Sequence, residues 1–277
     1  MNTSEPSLYG PMREFRERIS ADHFLIGAAV SLSDSAVTEA LGRVVDFFWI
    51  DLEHSPLGLE SLQTHLIAAR AVGVPALVRV PASESWFIKR VIDAGAAGLI
   101  VPQVRSANEA QRVVEACRYR PEGDRGYGPR RASNYGYDVH YLDTINQDLF
   151  VAVQIEHVEA MRALDAIVAV PGLDSLVLGP YDLSVSMGLA GQVAHPDVIA
   201  AITRVIARAK ERGLFVGMGG PAQEDYVLRA AEMGVQWIQC GCDFQYMIQF
   251  FGQFASRISD RIPGRTNAKG KAGLAAP

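Results

Sequence analysis

From residue 24 to residue 241 the chain alternates short apolar runs with longer amphipathic segments. Eight runs, at 24–30, 45–51, 75–80, 98–101, 150–156, 175–179, 214–218 and 236–241, are four to seven residues long and rich in Val, Ile, Leu and Phe. They are mostly apolar throughout rather than at every second position, the pattern of parallel strands covered by helices. Between them, 59–72, 85–94, 108–117, 196–212 and 224–233 carry apolar residues at helical spacing. Gly73, Gly95, Gly213 and Gly234 each stand just before the next strand, where a helix commonly ends in a left-handed residue. The pattern adds an N-terminal helix over 12–20 and a last helix over 244–258.

Eight strand–helix units without an interrupting linker predict a closed (β/α)₈ TIM barrel in one domain over 1–263. An open doubly wound sheet is the alternative, but no Gly-x-Gly-x-x-Gly follows the first strand. Residues 264–277 are small, polar and rich in Lys, Gly and Ala, the composition of a disordered tail. One connection breaks the rhythm. From 102 to 149 there is one clear helix and then a stretch, 118–141, rich in Arg, Gly and Tyr, and loops of that length inside a compact domain are usually functional.

Composition narrows the function classes. With 277 residues, 49% of them hydrophobic, the chain buries a sizeable core without disulfides. The three cysteines, Cys117, Cys240 and Cys242, have no zinc-ligand spacing and read as reduced thiols in a cytoplasmic protein. A net charge of −5 with no basic stripe argues against nucleic acid. No apolar run is long enough to span a bilayer, and 1–10 does not read as a signal peptide.

In such barrels the chemistry sits at the C-terminal ends of strands. The second run ends Asp51-Leu52-Glu53-His54, the third Val78-Arg79-Val80, the fifth Gln154-Ile155-Glu156, and the sixth Gly179-Pro180-Tyr181-Asp182. Glu156 and Asp182, on neighbouring strand ends, are an oxygen-only pair suited to Mg²⁺ or Mn²⁺ with coordination positions left open. The competing reading is that Glu156 pairs with a basic neighbour while Asp182 caps the next turn. Arg79, in an apolar strand, either holds an anionic oxygen or makes a structural ion pair across the rim. His54 is either structural or an acid–base group oriented by Asp51 or Glu53. The cations of the Arg125-Gly126-Tyr127-Gly128-Pro129-Arg130-Arg131 loop either close over an acidic substrate or make subunit contacts. No lysine stands at a credible strand end, which disfavours a Schiff base.

Taken in order, the Ile50–His54, Val78–Val80, Val153–Glu156 and Gly179–Ser184 motifs resemble the HpcH/HpaI aldolase family, class II pyruvate aldolases, over roughly residues 24–254. The resemblance implies a phosphoenolpyruvate/pyruvate-type barrel that reversibly cleaves 4-hydroxy-2-oxo acids to pyruvate and an aldehyde, in aromatic or sugar-acid catabolism. It implies a divalent cation (Mg²⁺, Mn²⁺ or Co²⁺) on Glu156 and Asp182. Gln154, Gly179, Tyr181 and Asp182 would contact the substrate, Arg79 would stabilise the enolate, and His54 would be the base. The position of Asp93 is, by resemblance, an acid-enhancing partner of that histidine; by its own pattern it is an ordinary polar residue near a helix end. A homo-hexamer, a trimer of dimers with the last helix exchanged between subunits, is also implied. Two departures stand out: Tyr181 replaces a residue that is often small, and the 126–135 loop is closer to that of macrophomate synthase. A citrate-lyase β/malyl-CoA-type lyase and a catalytically silent binding barrel are the rival readings.

Overall fold

The computed structural model describes residues 8–259 and 261–262; the tail expected over 264–277 lies outside them. Eight parallel strands, β1 (Leu25–Val30), β2 (Phe47–Asp51), β3 (Ala76–Arg79), β4 (Gly98–Val101), β5 (Phe150–Ile155), β6 (Ser175–Leu178), β7 (Phe215–Gly220) and β8 (Trp237–Cys242), close into a barrel in sequence order. The fold is therefore a (β/α)₈ TIM barrel, with β1 pairing both β2 and β8 to complete the ring. Strands β7 and β8 run past their apolar stretches because the ladder continues, with Gly220 paired to Cys240 and Cys242 paired to Ala29 of β1. A hydrophobicity pattern does not register backbone pairing of that kind.

The helices Leu59–Val72 and Glu224–Met233 have the predicted bounds, and the others agree within two residues. Gly73, Gly95, Gly213 and Gly234 all adopt positive φ, so each helix turns back to its strand through a residue without a Cβ penalty. The N-terminal helix Gly10–Ser20 closes the base of the barrel. It lowers Phe15 into an aromatic cluster with Phe47, Phe150 and Trp237, with ring centroids 5.5, 5.6 and 6.0 Å away in edge-to-face contact. Arg13 fastens the same helix to Asp148 through two hydrogen bonds of 2.6 Å.

The long 102–149 connection is ordered. It contains the helix Ala107–Cys117, a 3₁₀ turn Arg131–Gly136 and a further helix, Tyr141–Asp148, which the pattern does not predict. That helix buries Tyr141 and Ile145 as its apolar anchors, too weak a stripe to register. Its neighbour Arg118 is buried and donates to the carbonyls of Asn146, Leu149 and Gly172.

The other end of the barrel, where the strands finish, is thereby left for chemistry. Asp243, directly after β8, is 2% exposed and accepts from the Ser31 and Leu32 backbone N–H groups and the Ser31 hydroxyl. These bonds tie the last strand to the loop after the first. The terminal helix Asp243–Ser259 buries only that residue, leaving Phe250 and Phe251 about two-thirds exposed.

Candidate active site

Asp51 ends β2 and Arg79 ends β3, and the two are register partners. Their side chains consequently leave the same face of the sheet. Arg79 donates from Nε to one Asp51 oxygen at 2.9 Å and from Nη2 to the other at 2.7 Å. Its third nitrogen, Nη1, lies 3.2 Å from Glu53 Oε2. Below the guanidinium, the Trp49 ring centroid is 5.2 Å from Cζ, a cation–π contact. The ion pair offered as the alternative reading for Arg79 is thus present, and it fixes the fork at the mouth of the barrel.

Asp51 also organises the turn that follows β2. One of its oxygens accepts the backbone N–H groups of Glu53 and His54, at 3.0 and 3.4 Å. Glu53 is thereby turned inward and half-buried, while the His54 ring stays 64% exposed with Nε2 3.7 Å from Glu53 Oε2. Burial, reinforced by Asp51 and Asp182 and opposed by Arg79, pushes the Glu53 carboxyl up to about 7.

Across the mouth, Gln154 and Glu156 alternate with Ile155 at the end of β5, which brings both side chains to one face. Both are 3% exposed. Glu156 Oε1 accepts the Gln103 N–H at 2.7 Å, and Oε2 accepts from Gln154 Nε2. The Gln103 bond depends on a non-glycine residue held at φ 57°, directly after β4. Such left-handed strain persists only where the surroundings impose it and is concentrated at functional sites. Sequence reasoning missed Gln103; its one signal is its position two residues beyond a strand end.

Glu156 has no ion-pair partner among the described residues, so the reading in which it pairs with a basic neighbour is set aside. Burial drives its carboxyl up to about 7; the Gln103 N–H works against that, and the charges of Asp182 and Glu53 add to it. Asp182 lies exposed in the first turn of the helix Pro180–Ser186, which has no side-chain cap, so the capping alternative for Asp182 is absent too. Gly179 leads into that helix beneath Glu156. A Cβ there would come within 2.6 Å of Glu156 Oε2 and 2.9 Å of Gln154 Nε2.

These residues fit a hard divalent cation. The donors are carboxylate oxygens, Gln154 Oε1 is buried without a partner, and the repulsion among Glu156, Asp182 and Glu53 is what a cation would offset. Among the described residues no group of three or more His, Cys, Asp or Glu side chains forms a metal cage, so the protein would supply two ligands and leave the rest open.

Asp93 is not brought to this rim. It ends the helix Ser85–Asp93, which runs back from the mouth, so it sits near the base of the barrel before β4. There Arg125, whose side chain is fully buried, donates to it at 2.6 Å and stacks on Tyr119 at 4.6 Å. Within the chain, Asp93 therefore does not partner His54. Arg131 likewise donates to the Leu66 and Ala94 carbonyls. The expectation that these loop cations close over a substrate is corrected for Arg125 and Arg131 within their own chain. Both guanidinium groups are buried at the barrel base, where Arg125 donates to Asp93 and Arg131 to backbone carbonyls, away from the rim.

Comparison with known proteins bears on this arrangement directly. The family model described as HpcH/HpaI aldolase/citrate lyase matches residues 27–249, which contain every strand end described above except the start of β1. The chain belongs to the HpcH/HpaI aldolase/citrate lyase family. It is a carbon–carbon lyase of the aldolase kind. It is 36% identical to a hydroxypyruvate/pyruvate aldolase of Roseobacter denitrificans over 86% of this chain and 94% of that one. It is 35% identical to a 5-keto-4-deoxy-D-glucarate aldolase of Salmonella arizonae, covering 83% and 90% of the two chains. Among solved structures, an HpcH/HpaI aldolase/citrate lyase family protein from Burkholderia cenocepacia superposes with a TM-score of 0.84 at 32% identity, covering 88% of this chain and 98% of that one. No helix among the described residues is long and apolar enough to cross a membrane.

Proposed function

We propose that this aldolase depends on a divalent cation and reversibly cleaves 4-hydroxy-2-oxo acids to pyruvate and an aldehyde. The observation that carries the reading is Glu156, a buried carboxylate with no salt-bridge partner among the described residues, facing Asp182 near the fixed guanidinium of Arg79. Mg²⁺, Mn²⁺ or Co²⁺ held by Glu156 and Asp182 would, when bound, supply Lewis-acid polarisation of the carboxylate and keto oxygens of the 2-oxo acid.

The chain's own residues provide the rest. Cleaving the C3–C4 bond removes the proton of the C4 hydroxyl and leaves negative charge on the C2 oxygen. Arg79, already oriented by Asp51, aims its remaining N–H donors at that oxygen without reorganising during the reaction. His54 accepts the hydroxyl proton and returns it in the condensation direction. Gln154 and the segment Gly179, Tyr181 and Asp182 contact the pyruvate half. The side chain of Tyr181 stands half-buried at the wall of the site, where it bears on the choice of aldehyde.

Assembly into a trimer of dimers through an exchanged last helix is supported by the apolar face that Asp243–Ser259 leaves open. A cytoplasmic setting agrees with three cysteines that form no disulfide.

The test is exchange of the pyruvate methyl protons with solvent, followed by NMR with added Mg²⁺, Mn²⁺ or Co²⁺ and then by a panel of aldehydes. Exchange that needs the cation, stops in EDTA and is lost in Glu156→Ala and Asp182→Ala is the expected result. Full exchange in EDTA refutes the metal role. Conversion of malyl-CoA to acetyl-CoA with no pyruvate chemistry would place the chain on the citrate-lyase side of its family.

A further inference from the structure

Two carboxylates flank Arg79, and their geometry separates their tasks. Asp51 commits both oxygens to the guanidinium, and one of these also accepts from the turn backbone. Glu53 stands on the opposite edge of the fork. Its Oε2 is buried, makes no hydrogen bond, and lies 3.2 Å from Arg79 Nη1 and 3.7 Å from His54 Nε2. Among the described residues this is the one carboxylate within 4 Å of the His54 ring; in the same chain Asp93 is engaged with Arg125 at the other end of the barrel. An imidazole that is 64% exposed samples several rotamers unless a fixed charge restrains it.

We propose that Glu53 is a positioning residue for His54, its carboxylate braced by Arg79 and orienting the imidazole over the site. The inference rests on the reading of His54 as the base. The groups facing Glu53 are Arg79 on the neighbouring strand end, Asp51 at the end of its own strand, His54 in its own turn, Asp182 in the first turn of the helix Pro180–Ser186 and Glu156 across the mouth. Arg79 holds Glu53 in place from one side, and His54 lies on the other. Glu53 thereby links the oxygen-binding fork to the proton-transferring ring.

The test uses the full chain with saturating Mg²⁺ and a 4-hydroxy-2-oxo acid. Glu53→Gln should lower kcat about tenfold, a part of the 10²–10⁴ that a positioned acid–base group contributes. KM should stay within about twofold, because binding of the 2-oxo acid is retained. The pH–rate profile should also move. In a His54→Ala background, Glu53→Gln should cause no further loss, since a positioning residue acts through the group it positions. Glu53→Asp should recover part of the rate; if Glu53→Gln does not fold, as judged by circular dichroism, the aspartate variant carries the same cycle. An unchanged kcat and pH profile overturns the proposal, and so does a full additional loss on top of His54→Ala. The parent reading is checked separately: wild-type chain that fails to exchange pyruvate protons with Mg²⁺ ends that reading, whereas wild-type exchange with additive losses ends only this one.

Discussion

Asp51 and Arg79 are register partners on adjacent strands, and their side chains close a two-point ion pair of 2.7 and 2.9 Å at the mouth of the barrel. The pair works as one unit: the carboxylate fixes the plane of the guanidinium, and Trp49 supports it from below. Arg79→Lys replaces a planar fork by a point charge that cannot hold Asp51 and a substrate oxygen at once. Steady-state kinetics should show kcat reduced at least about tenfold, on the scale of a lost oxyanion donor. An unchanged kcat would remove Arg79 from the chemistry.

Glu156 makes stability depend on pH in the absence of divalent cation. Its folded carboxyl is pushed from the ordinary 4.5 to about 7, chiefly by burial. The folded chain therefore holds this proton more tightly than the unfolded chain does. The favourable contribution is complete below the unfolded value and is lost as pH rises through about 7. The shift corresponds to on the order of 3 kcal/mol. Urea denaturation in EDTA should show stability falling between about pH 5 and pH 8, a fall to which Glu53 also contributes, which Glu156→Gln reduces and which added Mg²⁺ offsets at the upper end. A flat wild-type profile would contradict the assignment.

Gly179 is fixed by the space Glu156 and Gln154 need. A methyl group at 179 would meet Glu156 Oε2 at 2.6 Å and the Glu156 Cβ at 2.9 Å. Gly179→Ala should keep the barrel folded, because the overlap is with side chains at its mouth. It should displace Glu156 and reduce activity about a hundredfold, the scale expected for misplacing a reacting group by about 1 Å. Near-wild-type turnover by the alanine variant would mean that Glu156 has freedom the structure does not show.

Phe15 plugs the barrel base and is 2% exposed among three aromatic rings. Phe15→Ala should cost about 3–5 kcal/mol by leaving a cavity there. The effect should appear in thermal and chemical denaturation but not in KM, because the rim is at the opposite end. A substantial change in KM would instead couple the two ends of the barrel.

Much of this was legible in the chain itself. Continuous apolar runs broken by helical spacing fixed eight strands, and glycines before β3, β4, β7 and β8 marked where the helices end. Because a strand end in such a barrel is also a site position, the same pattern picked out Asp51, Arg79, Gln154, Glu156 and Asp182. Their types and order carried the family.

What the sequence could not decide depended on contacts between distant segments. The 118–141 stretch offers several arginines without saying which end of the barrel they serve. Only the folded chain shows Arg125 on Asp93 and Arg131 on the carbonyls of Leu66 and Ala94. Gln103 is silent in sequence because its role belongs to a strained backbone N–H, not to its side chain. Spacing left Asp51 and Glu53 equivalent as neighbours of His54. Register gave Asp51 to Arg79 and left Glu53 between that guanidinium and the imidazole. Hydrophobic periodicity is a local signal, so it fixes which residues end the strands. Pairing among charged groups depends on three-dimensional distance, so only the closed barrel decides which of them meet.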